Sequence, residues 1–167
     1  MTLTLHPVSL ETLPLFSNLL TEAALWLERQ EKPLWNPLEL TPRALLERYR
    51  PADMFLALLE GEAVGTAVLM ESDPPFWPDV LEGEALYTHK LCIARAQAGR
   101  GLRRALLDAA RAEARGRGRA FLRLDTSSKH PPLCAFYEAC GFEKVGERQV
   151  GPYLVNLYQL ELERLNF

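Results

Sequence analysis

LCIARAQAGRGLRRALL, residues 91–107, decides how this 167-residue chain is read. An apolar, strand-like run enters it, an arginine-rich glycine turn occupies its middle, and a helix leaves it. Such a strand–turn–helix aims several backbone N–H groups and the positive end of a helix dipole at one point. Phosphate groups bind at points of this kind. The turn matches neither G-x-x-x-x-G-K-[ST] nor G-x-G-x-x-G, so P-loop and Rossmann readings fail at the residue level.

Working outward, the helix after the turn gathers Leu102, Ala105, Leu106, Ala109 and Ala110 on one face and ends at Gly116 and Gly118. These small residues allow close packing on a sheet. Upstream, residues 84–93 read as a strand, with Tyr87, His89, Leu91 and Ile93 on one face and Thr88, Lys90 and Cys92 on the other. Residues 54–59 and 63–70 read as a hairpin joined through Glu60-Gly61-Glu62. The prolines of 71–82 (PPFWP) keep that loop out of a sheet interior, so it runs over the surface or into a site. Residues 3–8 read as a first strand. Thr12 with Leu13-Pro14 opens a helix to about Gln30, and Thr41-Pro42 opens a second, stopped by Pro51. After the central helix come a buried strand at 120–125, a helix from Pro131 to Gly141, and two strands at 142–146 and 153–162. The order β-α-α-β-β-β-α-β-α-β-β predicts a mixed α+β layer arrangement in a single domain, 1–167.

The net charge of −3 is unevenly spread. Residues 95–123 hold nine of the 19 basic residues, opposed only by Asp108 and Glu113. A basic patch on an acidic chain suits a small polyanion better than a long nucleic acid, and aromatics are not interleaved with the arginines. No run approaches the ~18 apolar residues of a membrane span, and the N-terminus does not read as a secretory signal. Cys92, Cys134 and Cys140 are odd in number and lack metal-ligand spacing, so they read as reduced thiols in a cytoplasmic protein.

The element order, with LYTHKLCIARAQAGRGLRRALL, LRLDT and AFYEACGF at their spacings, resembles the GNAT superfamily of acetyl-CoA-dependent N-acetyltransferases over nearly the whole chain. WLERQEKPLW and FLALLEGEAVGTAVL also look like a bacterial subgroup of it. The resemblance implies a mostly antiparallel mixed sheet of about seven strands with helices on both faces. It implies acetyl-CoA as co-substrate, a small-molecule amine as acceptor, no metal and, as in many relatives, a homodimer. The family's phosphate turn, usually Q/R-x-x-G-x-G/A, corresponds to Ala98, Gly99, Arg100, Gly101, Leu102 and Arg103. Gly101 is in place, Gln97 falls one residue early, and Arg103 stands where a small residue is usual. Leu91, Cys92 and Ile93 resemble the strand whose free backbone groups bond pantetheine. Tyr137 sits where the family often has the tyrosine that protonates the CoA thiolate; a core aromatic is the plainer reading. His130 falls where the subgroup usually carries a cofactor-contacting Asn. Trp26, Trp35, Trp77 and Tyr87 are the candidates for the acceptor pocket, with Phe76 beside them.

Amide formation also needs a base. An amine of pKa ~10 is about one part in a thousand deprotonated at neutral pH, a deficit of roughly 4 kcal/mol. His89 has the side chain suited to this work near pH 7 and shares a strand face with Tyr87, although a histidine packed under the cofactor is the alternative. Glu84, at the strand entrance, is a second candidate through a water. Asp125 ends the strand in LRLDT, where capping the next turn is its first expected role and contact with the acceptor another. An acyl-CoA sensor that keeps the fold without catalysis is the alternative function, supported by Ala98, Arg103 and His130. Nucleic-acid binding through the arginine patch ranks below both.

Overall fold

The computed structural model describes residues 1–163. Among these residues seven strands and four α-helices follow in order: β1 Thr4–Pro7, α1 Leu13–Arg29, α2 Pro42–Arg48, β2 Met54–Leu59, β3 Glu62–Met70, β4 Ala85–Ile93, α3 Leu102–Gly116, β5 Phe121–Ser127, α4 Pro131–Ala139, β6 Glu143–Val150 and β7 Tyr153–Glu161. The strands form one open sheet in the order β1-β2-β3-β4-β5-β7-β6. β4 and β5 run parallel; β1/β2, β2/β3, β5/β7 and β6/β7 are antiparallel. The mixed, mostly antiparallel α+β arrangement is the one expected. Most boundaries differ from the sequence reading by a residue or two, but β6 extends four residues past Gly146 by pairing with β7.

The chain divides into two compact units, one of Met1–Leu69 with Lys90–Ala109, the other of Met70–His89 with Ala110 onward. In the first unit, local chemistry sets the elements. Thr41 caps α2 by accepting the Ala44 N–H at 3.2 Å, with Pro42 in the first turn. Glu60 and Gly61 both take positive φ (52° and 83°), as a two-residue turn between twisted strands requires. Leu102 and Leu106 of α3 pack on Leu3, Ala57, Val64 and Ala67, with Leu91 and Ile93 of β4 beside them. This is the apolar face that the sequence places on the helix.

The regular alternation expected along β4 does not hold. Lys90 has φ 53°, a left-handed backbone that breaks the two-residue period in mid-strand. Two neighbours on β3 accommodate the break. Thr66 donates its hydroxyl to the Lys90 carbonyl at 2.8 Å. Gly65, lacking a Cβ, lets the Cys92 carbonyl come closer than any side chain would permit, with Ile93 Cδ1 3.0 Å from the same point. The Cys92 side chain is buried against the Leu19 carbonyl of α1. Burial, and then the Glu22 carboxylate, pushes its thiol up to about 12. All three cysteines are free thiols.

In the second unit, β5 and β7 pair along their full shared length, from Phe121↔Glu161 to Ser127↔Val155. β4 pairs with β5 only over Ala85–Tyr87.

Two outcomes follow from the break in β4. Gly65→Ala forces the Cys92 carbonyl away and should cost roughly 1–3 kcal/mol in urea unfolding; an unchanged midpoint would show that the contact is slack. The raised Cys92 thiol also predicts an alkaline loss of stability. Above about pH 9 the unfolded thiol ionises and the folded one does not, so stability falls by up to about 1.4 kcal/mol per pH unit until the pH nears 12. Urea titrations at pH 8 and 10.5 should show a shallower decline in Cys92→Ala than in the wild type.

Candidate active site

The turn of the first unit is built for backbone approach. After Ile93 a single 3-10 turn, Arg95–Gln97, redirects the chain. Gly99 and Gly101 then take φ 80° and 73°, and nothing lies within 4 Å of where a Cβ would stand at either. α3 begins at once with Leu102, so the first-turn N–H groups, which have no acceptor within the helix, follow directly on the two glycines. Arg103 is exposed on α3, between the buried Leu102 and Leu106, so the large residue at this position projects to solvent. Arg100 bonds the side chain of Gln97, which fastens the turn's most polar residues together.

Trp26 and Trp35, expected at an acceptor pocket, attend cations on this part of the chain. The Arg95 guanidinium lies 3.5 Å from the Trp26 ring centroid, and the Arg95 N–H donates to Glu22 at 3.2 Å. The Lys90 ammonium lies 5.5 Å from the Trp35 ring centroid. Leu91, Cys92 and Ile93 follow the break at Lys90, with Leu91 and Ile93 in the core beside α3.

The second unit gathers the titratable groups. His89 Nε2 lies 2.8 Å from Asp73 Oδ2, and Nδ1 lies 3.7 Å from Asp125 Oδ1. The His89 side chain is only 12% exposed, and the Phe76 ring stands 6.0 Å from it. Asp73 has no motif around it in the sequence; its signal there is an acidic residue directly before Pro74-Pro75 in a loop suited to enter a site. Asp125 lies inside β5, and in the turn that follows the Ser127 hydroxyl accepts the Lys129 N–H at 3.2 Å. Asp73, His89 and Asp125 each place one donor atom within 4.8 Å of the others, which is a metal-ligand chemistry. The two carboxylates attend different nitrogens of the imidazole, Asp73 within hydrogen-bond distance of Nε2 and Asp125 beyond that distance from Nδ1.

Glu84 is engaged elsewhere. Its carboxylate lies 3.0 Å from Arg123 Nη1, and Arg123, 5% exposed, also donates to Gln159 at 2.8 Å and to the Tyr87 hydroxyl at 3.0 Å. The same guanidinium lies 5.1 Å from the Trp77 ring centroid and 4.8 Å from that of Phe121. Trp77 and Tyr87, expected in an acceptor pocket, are therefore core residues around a buried cation, with their rings 6.0 Å apart. Tyr137 is buried on α4 among Phe136, Phe142 and Tyr158, with ring centroids 5.5, 5.8 and 6.2 Å away. His130 stands at the N-cap of α4, and its backbone carbonyl accepts the Leu133 and Cys134 N–H groups.

A model of the Acetyltransferase (GNAT) family matches residues 20–142. No curated protein matches the sequence significantly. Among solved structures, a GNAT acetyltransferase from Listeria monocytogenes superposes with TM-score 0.77 at 21% identity, covering 96% of this chain and 95% of that one. An aminoglycoside acetyltransferase AAC(6')-Ib, in complex with coenzyme A and kanamycin, gives 0.67 at 18% identity, covering 96% and 95%. A spermidine N-acetyltransferase chimera from Vibrio cholerae and hSSAT gives 0.66 at 18%, covering 96% of each. At these identities the likeness is one of fold.

The buried guanidinium separates stability from chemistry. Arg123→Ala strands Glu84 and opens a void among aromatic rings, so it should cost about 3–5 kcal/mol in denaturant unfolding. Glu84→Gln should lose less and leave the shape of any pH–rate profile unaltered; a profile that loses its base with Glu84 would return that residue to the proton path.

Proposed function

Because the chain belongs to the GNAT family of acetyltransferases, we propose that it moves the acetyl group of acetyl-CoA directly to a primary amine of a small molecule. The observation that carries this reading is the turn before α3. Two glycines with left-handed backbones and open space at both missing Cβ positions fit a pyrophosphate that is bound mainly by main-chain donors. The donor nucleotide would be held by the N–H groups of 98–103 and by the backbone of Leu91, Cys92 and Ile93. What it supplies is a thioester carbonyl open to attack.

The chain's own residues manage the protons. As the amine nitrogen bonds the carbonyl carbon and the C–S bond breaks, an acceptor that arrives as an ammonium sheds two protons. His89 takes one and passes it to solvent. The other balances the proton that the Tyr137 phenol gives to the departing thiolate. Glu84 is left out of this path, since its carboxylate serves Arg123. That the solved relatives include aminoglycoside and spermidine acetyltransferases supports a cationic, amine-bearing acceptor. No helix among the described residues is long and apolar enough to cross a membrane. The free thiols suit the cytoplasmic setting read from the sequence.

The test is release of free CoA thiol across a panel of primary amines, with thermal stabilisation by CoA measured alongside. Stabilisation with release on one amine class is expected. Stabilisation without release would favour a sensor, and neither would overturn the reading. His89→Ala should lower kcat about 100-fold, most strongly at lower pH where free amine is scarcest. An unchanged pH–rate profile would remove His89 from the mechanism.

A further inference from the structure

We infer that Asp73 is the positioning residue of the acetyl transfer, fixing the tautomer of His89 in which Nδ1 is the bare nitrogen that takes the proton. This rests on the reading of His89 as the proton acceptor and assigns its partner. An ionised carboxylate can only accept, so the 2.8 Å contact from Nε2 to Asp73 Oδ2 requires an N–H at Nε2. A neutral imidazole has one N–H, which leaves the lone pair on Nδ1. Nδ1 is 3.7 Å from Asp125 Oδ1, beyond hydrogen-bond distance for the neutral ring but close enough to attract a cation beside that nitrogen. The two carboxylates thus have different tasks: Asp73 orients the ring, and Asp125 stands where the proton arrives.

The loop around Asp73 is built to hold it still. Its carbonyl accepts the N–H groups of Phe76 at 3.2 Å and Trp77 at 2.7 Å, closing a turn whose other two residues are Pro74 and Pro75. Arg148 Nε donates to the Pro75 carbonyl at 2.9 Å. At the start of the loop, Arg117 and Arg119 both pair with Glu71, and Arg119 also bonds the Gly83 carbonyl at 2.8 Å near its end. Trp77 is buried on Tyr87, anchoring the far side of the turn. Asp73 itself is 5% exposed. A carboxylate on a loop held by two prolines, three arginines and a buried tryptophan is set in place before any ligand arrives, as a group that must orient a base should be. The charged groups against the ring are Asp73 from this loop and Asp125 from β5, with Phe76 uncharged beside them; Lys90, next in the chain, turns its ammonium to Trp35.

Steady-state kinetics on Asp73→Asn and Asp73→Glu, with the amine found active on the wild type, test the assignment. Asp73→Asn should lower kcat at least 30-fold and hold KM for the amine within about threefold. Asp73→Glu keeps the charge and should recover part of the rate. Asp125→Asn should act mainly on KM. Asp73→Asn at wild-type rate, with His89→Ala impaired, overturns the role of Asp73 alone. A full rate in His89→Ala overturns the reading beneath it. Equal loss of kcat in Asp73→Asn and Asp73→Glu would make the residue merely structural and also overturn the assignment.

Discussion

The backbone of Lys90 sets the conditions for everything else in this chain. An L-residue in the left-handed region is disfavoured by roughly 1–2 kcal/mol, so it persists only where its surroundings hold it. Here they are the Thr66 hydroxyl on the Lys90 carbonyl and the missing Cβ of Gly65 beneath Cys92. The break gives one strand two jobs. Upstream, Ala85–Tyr87 pair in parallel with β5, and His89 meets Asp73 and Asp125. Downstream, Leu91 and Ile93 pack with α3, and the chain runs on into the glycine turn.

Charge is handled in the same spirit. The second unit buries a guanidinium, Arg123, and satisfies it with Glu84, Gln159, the Tyr87 hydroxyl and three aromatic faces. Leaving any such group unpaired inside a protein costs several kcal/mol, and for that reason Glu84 has little freedom to act elsewhere. Three arginines restrain the loop of 71–83, together with its prolines, the turn closed on the Asp73 carbonyl and the buried Trp77. With these cations in place, the carboxylate at Asp73 becomes a fixed feature of the fold.

Much of this was legible in the sequence because it depends on local chemistry. The Thr41-Pro42 start, the tight turn at Glu60-Gly61 and the small-residue face of α3 are written in adjacent residues, and the element order was enough to predict a mixed, mostly antiparallel sheet. The family was legible from spacing, and its glycine turn came with it. What was hidden depends on contacts between distant residues. Nothing about a lysine announces a positive φ; the cause lies at Gly65 and Thr66 on a neighbouring strand. Asp73 is 16 residues from His89 in the chain and has no motif around it. Trp77 and Tyr87 read as pocket residues because aromatics suit both pockets and cores, and their burial against Arg123 depends on a residue on another strand. The extension of β6 past Gly146 was masked by a charged, solvent-facing strand with few apolar positions.

The central claim is that His89 presents a bare Nδ1 because Asp73 holds the proton on Nε2. The most direct measurement is the ¹⁵N spectrum of histidine-labelled protein, with His89 assigned by its absence in His89→Ala and the pH high enough for neutral imidazole. A protonated Nε2 and an unprotonated Nδ1 are expected. The opposite tautomer, or an even mixture of the two, would contradict the account.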